Sequence, residues 1–444
     1  MKRIYTVLCG LIVVVLFCVG CYGLFHLDST VKKPKLTFSA LLNGKFATAC
    51  VNRYSEAFPK SESLQNTAKK LNSFYKFSAL SGGDGVQIII DMNSNAAHGG
   101  EALKPTEPQS VSSSAPSGAD VTDEPTEPPT EPEEEDDPDA VVEDLGQAIL
   151  IDDRAIEIPY ANYDKIETYA QAVTNIATAL GSGVRTFSIA VPNSAEFYTP
   201  KDYHTGDKSQ KGMIDFCYEK MGDNVITVDA YSKLKPHKDE YIYFRTDHHW
   251  TQLGAYYAYT AYCEAAGLKA EPLSKFETGS YSDFLGSMYH YLSSFPQASV
   301  LANNPDTVEF YRPFVDLNTN FYTDATLSEK YATGTICYIE PNVSNKYLCF
   351  LGGDHPITII ETSAKGPVCM LLKESYGNAF APWLTSHYSK VIVVDPREFN
   401  RDGKPSLDLV SFAKQQNVKD CIVLNYPMML NSEAYIEWLN RLVQ

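Results

Sequence analysis

The residues with the greatest capacity for chemistry stand together in "TDHHW", where Asp247, His248, His249 and Trp250 are consecutive. In an extended or loop backbone, residues i and i+2 point to the same side of the chain. Asp247 and His249 are therefore predicted to lie together, with His248 projecting the opposite way. A carboxylate that orients one imidazole nitrogen leaves the other nitrogen free to act as a base. Trp250 is expected to be a packing residue.

A candidate nucleophile lies in "LLKESYGNAFAPWL", where an apolar strand runs into Ser375 and is followed by helical text. A serine at such a turn is exposed at the edge of a sheet, and the N–H groups that open the helix can stabilise an oxyanion. Serine is a weak nucleophile without an adjacent base. The sequence therefore predicts a triad of Ser375, His249 and Asp247.

Two simpler interpretations compete with this triad. A serine after a strand can merely cap a helix, and an Asp–His pair can bind zinc. A zinc site needs three or four protein ligands, and the remaining histidines are scattered singly, without HxxxH or CxxC spacing. We therefore expect neither a metal ion nor another cofactor.

The elements that must position these residues alternate between strands and helices, which predicts an α/β fold with a parallel sheet flanked by helices. The helix after Trp250 is expected to begin at Thr251 as N-cap and to end at Gly267. Ligands of such sheets bind beyond the carboxyl ends of the strands. Three late strands end there in polar residues, which are Glu374 and Ser375, Asp395 with Arg397, and Asn425.

The beginning of the chain predicts export. Lys2 and Arg3 precede an apolar run over 4–25, long enough to cross a bilayer as a helix with the positive residues inside. Residues 1–27 are thus predicted to be a transmembrane signal anchor, and residues 28–98 the N-terminal part of an extracellular unit. A cleaved signal peptide and a lipid-modified Cys21 are the alternatives.

Most of the formal charge of −18 comes from one segment. Between Glu101 and Asp144 there are 15 acidic residues and one basic residue, which leaves −4 for the rest of the chain. Such a chain lacks the concentrated basic surface of a nucleic-acid binder. The Pro- and Glu-rich composition predicts a disordered insertion over 99–143, followed by the catalytic domain over 144–444.

One cysteine pair is placed for a disulfide. Cys337 and Cys349 lie six residues either side of Val343, in the middle of a predicted "PNVSN" turn between two strands. A hairpin would set the two cysteines opposite each other. We predict a cross-strand disulfide, with two buried thiols as the alternative.

Four stretches together resemble one known family: "FSALLNGKFATACVNRYSEAFP", "YFRTDHHWTQLGAYYAY", "FLGGDHP" and "LLKESYGNAFAPWLTSHYSKVIVVDPREF". They look like the bacterial DHHW family, which is similar to the alginate O-acetyltransferase proteins of the SGNH-hydrolase-like group. The resemblance implies an SGNH-like sheet whose blocks are reordered, so that the Asp-x-His segment precedes the serine. It matches Asp247, His249 and Ser375 to the family's triad.

The resemblance also implies further site residues. Arg397 matches a site arginine, and either Asn425 or Asn378 could supply the oxyanion asparagine. Tyr376 could stack on a sugar ring. One departure is Glu374, where an Asp usually precedes the serine.

The implied activity is the transfer of acetyl groups onto a cell-surface or exported polysaccharide. The implied partners are that polysaccharide and a membrane-bound O-acyltransferase, and the chain would be held at the cell membrane by its first helix. An acyl esterase with the same triad is one alternative. A non-catalytic glycan-binding accessory protein is the other.

Overall fold

The structure is a computed structural model that describes residues 142–144, 148–293, 295–328 and 330–444. The predicted membrane anchor over 1–27 and the N-terminal part over 28–98 lie outside the described residues. The predicted insertion over 99–143 also lies outside them, except for Val142 and Glu143, which belong to a strand. Among the described residues, no helix combines the length and apolarity that a membrane span requires.

Thirteen strands occur in the described part of the chain. In chain order they are β1 (Val142–Asp144), β2 (Ala148–Ile151), β3 (Arg154–Glu157), β4 (Arg185–Ala190), β5 (Val225–Thr227), β6 (Glu277–Phe284), β7 (Asp306–Arg312), β8 (Leu317–Tyr322), β9 (Lys330–Gly334), β10 (Ile357–Thr362), β11 (Val368–Lys373), β12 (Lys390–Val394) and β13 (Val418–Asn425). Eight of them form the central sheet, in the order β5-β4-β13-β11-β12-β10-β8-β9.

The central sheet is mixed. Strands β5, β4, β13, β11 and β12 run parallel to one another, whereas β10 pairs antiparallel with β12 and β8, and β9 pairs antiparallel with β8. The prediction of a parallel sheet is therefore right for five strands and wrong for three. Only residues 363–367 join β10 to β11, too few for the crossover that a parallel connection requires. β10 must therefore run in the opposite direction.

Eleven α-helices occur in the described residues. They are α1 (Tyr163–Leu180), α2 (Ala195–Tyr198), α3 (Gln210–Glu219), α4 (Ala230–Leu234), α5 (Gln252–Ala266), α6 (Ser287–Leu292), α7 (Ala298–Ala302), α8 (Gly377–Leu384), α9 (Leu409–Gln415), α10 (Pro427–Leu430) and α11 (Glu433–Arg441). Helix α1 packs against α3 and α11, and α5 packs against α4 and α8. The core lies between these helices and the sheet.

The local sequence explains the central elements. In β11 and β12, apolar residues follow one another without alternation and are buried, as in strands covered on both faces. The predicted ends of α5 are confirmed. The Thr251 side chain accepts a hydrogen bond from the Gly254 N–H, and Gly267 ends the helix in the left-handed conformation, with φ 71°.

Two small sheets support the segment that contains "TDHHW". One consists of β1, β2 and β3, and the other of β6 and β7. From β3, Arg154 Nη1 donates hydrogen bonds to the carbonyl oxygens of Tyr243, at 3.1 Å, and Phe244, at 2.8 Å. From β7, Asp306 binds residues immediately before Asp247. Contacts from both small sheets thus fix the backbone that immediately precedes Asp247.

The predicted disulfide is wrong: Cys337 and Cys349 are two free, buried thiols. Their backbones do approach, since the Tyr338 N–H donates to the Cys349 carbonyl at 3.1 Å. Cys349, however, belongs to a 3₁₀ turn, Lys346–Cys349, rather than to a strand. Cys337 has a φ of 55°, and its Sγ lies 3.3 Å from the Tyr311 carbonyl oxygen.

Candidate active site

Ser375 lies where β11 passes into α8, beyond the carboxyl end of the parallel strands. Its side chain does not cap α8; Oγ lies 2.7 Å from His249 Nε2 instead. Gly377 allows the tight turn, because a Cβ there would lie 2.4 Å from Lys373 Cβ. The chain therefore turns closely enough to present the hydroxyl to the imidazole.

Asp306 fixes Thr246, the residue immediately before Asp247. Its Oδ2 accepts hydrogen bonds from the Thr246 N–H, at 2.7 Å, and from Thr246 Oγ1, at 2.6 Å. Thr246 Oγ1 in turn accepts from the Gly286 N–H at 2.9 Å. The Ser287 N–H donates to Asp247 Oδ2 at 2.8 Å. The start of α6 thus binds the carboxylate directly.

Asp247, His249 and Ser375 form one continuous hydrogen-bonded line. Asp247 Oδ1 accepts from His249 Nδ1 at 2.5 Å and from the His249 N–H at 2.9 Å. Burial alone would raise the pKa of Asp247, but the neighbouring His249 and the Ser287 N–H hold it well below its usual value. The ionised carboxylate keeps a proton on Nδ1 and leaves Nε2 to accept one from Ser375.

Two aromatic residues connect the histidine segment with the serine turn. Trp250, fully buried as expected, donates from Nε1 to the Tyr376 carbonyl at 2.9 Å. Tyr347 stacks on His249, with ring centroids 3.9 Å apart, and its hydroxyl donates to the Ser375 carbonyl at 2.8 Å. Tyr347 belongs to none of the motifs from which the site was predicted. The two segments are thus joined independently of the contact between His249 and Ser375.

His248 does not project away from His249, as the sequence predicted. The two rings are 3.8 Å apart at an angle of 36°. The segment is a bend rather than an extended strand, and Ser287 Oγ lies 2.8 Å from His248 Nδ1. This contact turns the ring back over His249. Burial and the neighbouring His249 lower the pKa of His248 to about 3, so this ring is neutral at physiological pH.

Glu374, the residue before Ser375, is buried under the turn. Its Oε2 accepts from the Tyr376 N–H at 2.9 Å and lies 3.3 Å from Ser375 Oγ. Its Oε1 is sealed from solvent without a hydrogen-bond partner in the described chain. Burial raises the pKa of Glu374. The imidazole is therefore the closer partner of the serine hydroxyl.

Arg397 lies in a buried network of charges beside the turn. Its Nη2 donates to Asp354 Oδ2 at 2.5 Å and to Asp395 Oδ2 at 2.6 Å, and Lys373 Nζ donates to Asp354 Oδ1 at 2.6 Å. Burial lowers the pKa of Arg397, but the two carboxylates outweigh it and keep the guanidinium charged. Asp354 belongs to "FLGGDHP", whose role in the site could not be read from its composition.

Asn378 joins the same network, since its Nδ2 donates to Asp354 Oδ1 at 2.8 Å. Its Oδ1 is buried without a partner among the described residues. Asn378 therefore ties the first turn of α8 to the charge network.

Two predicted site residues are placed elsewhere. Asn425 is fully buried; its Oδ1 accepts from the Tyr169 hydroxyl and its Nδ2 donates to the Tyr435 hydroxyl, both at 2.8 Å. This core position is incompatible with an oxyanion role. Tyr376 is also fully buried and stacks on Tyr426, with ring centroids 4.6 Å apart. The Tyr376 ring therefore cannot stack on a sugar.

Asp247, His248 and His249 also satisfy the minimum geometry of a metal site, with ligand atoms within 4.8 Å of one another. The donors fit a metal poorly, because Asp247 Oδ1 and both ring nitrogens of His249 are already hydrogen-bonded to each other and to Ser375. A metal ion would have to break this line. The contacts therefore favour proton transfer over metal coordination.

The fold and the site define a mixed α/β protein with a central sheet flanked by helices and an Asp–His–Ser cluster beyond its parallel strands. Within this class the chain belongs to the DHHW family, because the model of the family described as DHHW protein matches residues 124–394. The resemblance seen in the sequence is thereby confirmed. No curated protein matches the chain.

Two solved proteins illustrate the similarity. A DHHW family protein from Eubacterium siraeum has 29% identity and a TM-score of 0.61, over 69% of this chain and 100% of that one. Bacillus cereus PatB1 has 17% identity and a TM-score of 0.51, over 67% of this chain and 99% of that one. A second structure of PatB1, with a sulfonyl adduct, has 16% identity and a TM-score of 0.51, over 67% of this chain and 99% of that one. The likeness to PatB1 concerns the fold.

Proposed function

We propose that this protein is an extracytoplasmic serine-dependent O-acetyltransferase that modifies a cell-surface or exported polysaccharide. The observation that carries the proposal is the hydrogen-bonded line from Asp247 through His249 to Ser375, with distances of 2.5 and 2.7 Å. The 2.7 Å between His249 Nε2 and Ser375 Oγ lies within the range of about 2.6–3.2 Å expected of a base and its nucleophile. The resemblance to alginate O-acetyltransferase proteins supports acetyl as the transferred group and a polysaccharide as the acceptor.

The same proposal gives the fold a finer description as an SGNH-hydrolase-like sheet. Five parallel strands with the serine beyond a carboxyl end support it. Asp247 and His249 precede Ser375 in the chain, as in the reordered form that the resemblance implies.

In the first half-reaction, Ser375 Oγ attacks the carbonyl carbon of an acetyl donor while its proton passes to His249 Nε2. The Asp247 carboxylate stabilises the imidazolium that forms. The tetrahedral intermediate then expels the donor's leaving group, which takes the proton from His249. Ser375 is left as an acetyl ester, and the imidazole is neutral again.

In the second half-reaction, a sugar hydroxyl attacks the ester carbonyl and gives its proton to His249 Nε2. Collapse of the intermediate breaks the bond to Ser375 Oγ, and the proton returns to that oxygen. The products are the acetylated sugar and the free serine. Each proton therefore moves through the one nitrogen that faces Ser375.

The oxyanion of both intermediates would be stabilised from the turn itself. In the described chain, the Ser375 N–H donates no hydrogen bond, and it lies just before the first turn of α8. Arg397 and Asn378 would act as positioning residues, because their side chains contact Asp354 and Asp395 rather than Ser375.

The proposal extends to location and partners. The apolar run after Lys2 and Arg3 would anchor the chain in the cell membrane with its bulk outside. A membrane-bound O-acyltransferase would then deliver acetyl groups to Ser375. These statements rest on the sequence and on the family resemblance.

The direct test is labelling with an active-site sulfonyl fluoride, a reagent class suggested by the sulfonyl adduct recorded for PatB1. The wild type should be labelled, and Ser375→Ala should not. Ser299→Ala, at an exposed serine in α7, is the matched control and should be labelled like the wild type. Equal labelling of Ser375→Ala would refute the proposal and leave a binding role.

The acyl esterase is the competing enzyme, since water would use the same three residues. Acetate release should therefore be compared with acetyl transfer to an oligosaccharide in a single reaction. Faster transfer supports the acetyltransferase, and hydrolysis alone would establish the esterase.

A further inference from the structure

The ring of His248 lies beside that of His249, although the proposed mechanism does not use it. Its ring lies 3.8 Å from that of His249, and the Nδ1 atoms lie 4.0 Å (His248) and 2.5 Å (His249) from the same oxygen, Asp247 Oδ1. Both Nδ1 atoms therefore face the carboxylate. The two Nε2 atoms consequently point away from it, and that of His249 points at Ser375.

Ser287 fixes which nitrogen of His248 carries the proton. Ser287 Oγ accepts from the His248 N–H at 3.3 Å and lies 2.8 Å from His248 Nδ1. Within the described chain, Nδ1 is the acceptor available to the Ser287 hydroxyl. That hydroxyl therefore donates to Nδ1, and the neutral ring carries its single proton on Nε2.

The Nε2–H of His248 is not sealed from solvent. The residue is only 8% exposed, yet Nε2 is not among the sealed polar atoms and makes no hydrogen bond in the part of the chain that the structure describes. Tyr426 and Tyr376 support the ring, with centroids 5.9 and 6.1 Å away. His248 thus offers one rigidly held donor beside the base.

We propose that His248 binds the acceptor sugar: its Nε2–H donates a hydrogen bond to one sugar oxygen while the neighbouring hydroxyl gives its proton to His249 Nε2. The stacking distance lets the two imidazoles hold oxygens on adjacent carbons of one ring. The acceptor class is therefore a saccharide with a vicinal diol. His248 would decide how the acetyl-enzyme partitions between sugar and water, an inference that rests on the proposed function.

The experiment uses p-nitrophenyl acetate as donor and offers the acetyl-enzyme two acceptors in parallel. Methyl α-glucoside has contiguous hydroxyls, and n-propanol has a single one. Acetylated product is measured against free acetate in each case. The variants are His248→Met, which removes the donor, and His248→Gln, whose amide keeps an N–H near the position of Nε2.

In His248→Met, transfer to methyl α-glucoside relative to hydrolysis should fall about tenfold, the factor expected for one net hydrogen bond. Transfer to n-propanol should fall by no more than about twofold. His248→Gln should recover most of the transfer to the glucoside. A purely structural role for His248 would reduce transfer to both acceptors equally.

Equal loss with both acceptors, or an unchanged partition in His248→Met, would overturn the inference. Neither outcome would affect the proposed function, because the acetyl-enzyme would still form at Ser375. That function would instead fail if Ser375→Ala released p-nitrophenol as fast as the wild type. The inference would then fall with it, so the two failures are distinguishable.

Discussion

The phenol ring of Tyr347 lies face to face with the imidazole of His249, with ring centroids 3.9 Å apart and 16° between the planes. The Tyr347 hydroxyl also binds the carbonyl oxygen of Ser375. One side chain therefore contacts both the ring face of His249 and the backbone that carries Ser375. Effective base catalysis depends on such positioning, because a displacement of about 1 Å can cost about 100-fold in rate.

We expect Tyr347→Leu to lower kcat about 10- to 100-fold, since it removes both the stacking surface and the hydrogen bond. Tyr347→Phe should lose less, because the ring remains and the Ser375 carbonyl still accepts from the Asn378 N–H at 3.1 Å. Steady-state hydrolysis of an activated acetyl ester gives both values. Equal rates in the two variants would show that the stacking contact has no catalytic role.

Gly286 makes room for Asp247. A Cβ at this position would lie 2.3 Å from Asp247 Cβ and 2.5 Å from Asp247 Oδ2. Gly286→Ala should therefore displace the carboxylate, lower kcat at least about 100-fold and reduce the free energy of unfolding by about 1–3 kcal/mol. Activity assays and thermal unfolding measure the two effects.

The control for this change is Gly183→Ala, where an added Cβ meets nothing within 4 Å. That variant should keep its activity. A Gly286→Ala variant with normal kcat would mean that the carboxylate can move without consequence, which would contradict its assigned part in orienting His249.

Asp247→Asn should lower turnover by roughly three to four orders of magnitude, because an amide no longer fixes the proton on His249 Nδ1. The backbone N–H groups of His249 and Ser287 donate to different oxygens of the carboxylate, so the amide oxygen keeps one of these two hydrogen bonds. The fold should therefore be retained, as judged by circular dichroism. Asp223→Asn, at an exposed position, controls for the loss of one charge, and a near-normal rate in Asp247→Asn would contradict the proposed mechanism.

Much of the fold could be predicted from the sequence because its signals are local. The apolar runs of β11, β12 and β13 and the caps of α5 are legible without any knowledge of tertiary contacts. The antiparallel edge was missed because β8 mixes exposed and buried residues and β9 has no buried residue, so their sequences show no strong period. The convergence of Asp247, His249 and Ser375 was predicted from their chemistry and the family resemblance, not from the spacing.

The supporting residues could not be predicted, because their roles arise only from distant contacts. Tyr347, Asp306 and Ser287 are ordinary residues in sequence, and each acts on the site through a hydrogen bond or a ring contact. The predicted orientation of His248 was wrong because the rule that residues i and i+2 point to the same side holds for extended chains. This segment is a bend, and Ser287 Oγ lies 2.8 Å from His248 Nδ1. The predicted oxyanion role of Asn425 was wrong because a polar residue at a strand end can also make its hydrogen bonds within the core.

Glu157, at the end of β3, gives the protein a predictable dependence on pH. Burial raises the pKa of Glu157 from 4.5 to about 7, opposed by a hydrogen bond from Tyr426 and reinforced by the charge of Glu374. Its Oε2 is sealed from solvent without a partner in the described chain. The folded protein therefore binds this proton more tightly than the unfolded chain does. Its contribution to stability is complete below about pH 4.5 and is lost as the pH rises through about 7.

Glu157→Gln keeps the hydrogen-bond acceptor but cannot ionise, so the stability lost above pH 7 should return. We expect the free energy of unfolding at pH 8 to rise by about 1–3 kcal/mol and to change less between pH 5 and pH 7 than in the wild type. Urea unfolding at pH 5, 6, 7 and 8 measures both effects. Glu219→Gln, at an exposed glutamate, should leave the pH profile as it is. A wild-type slope in Glu157→Gln would mean that this carboxyl ionises without penalty in the folded protein.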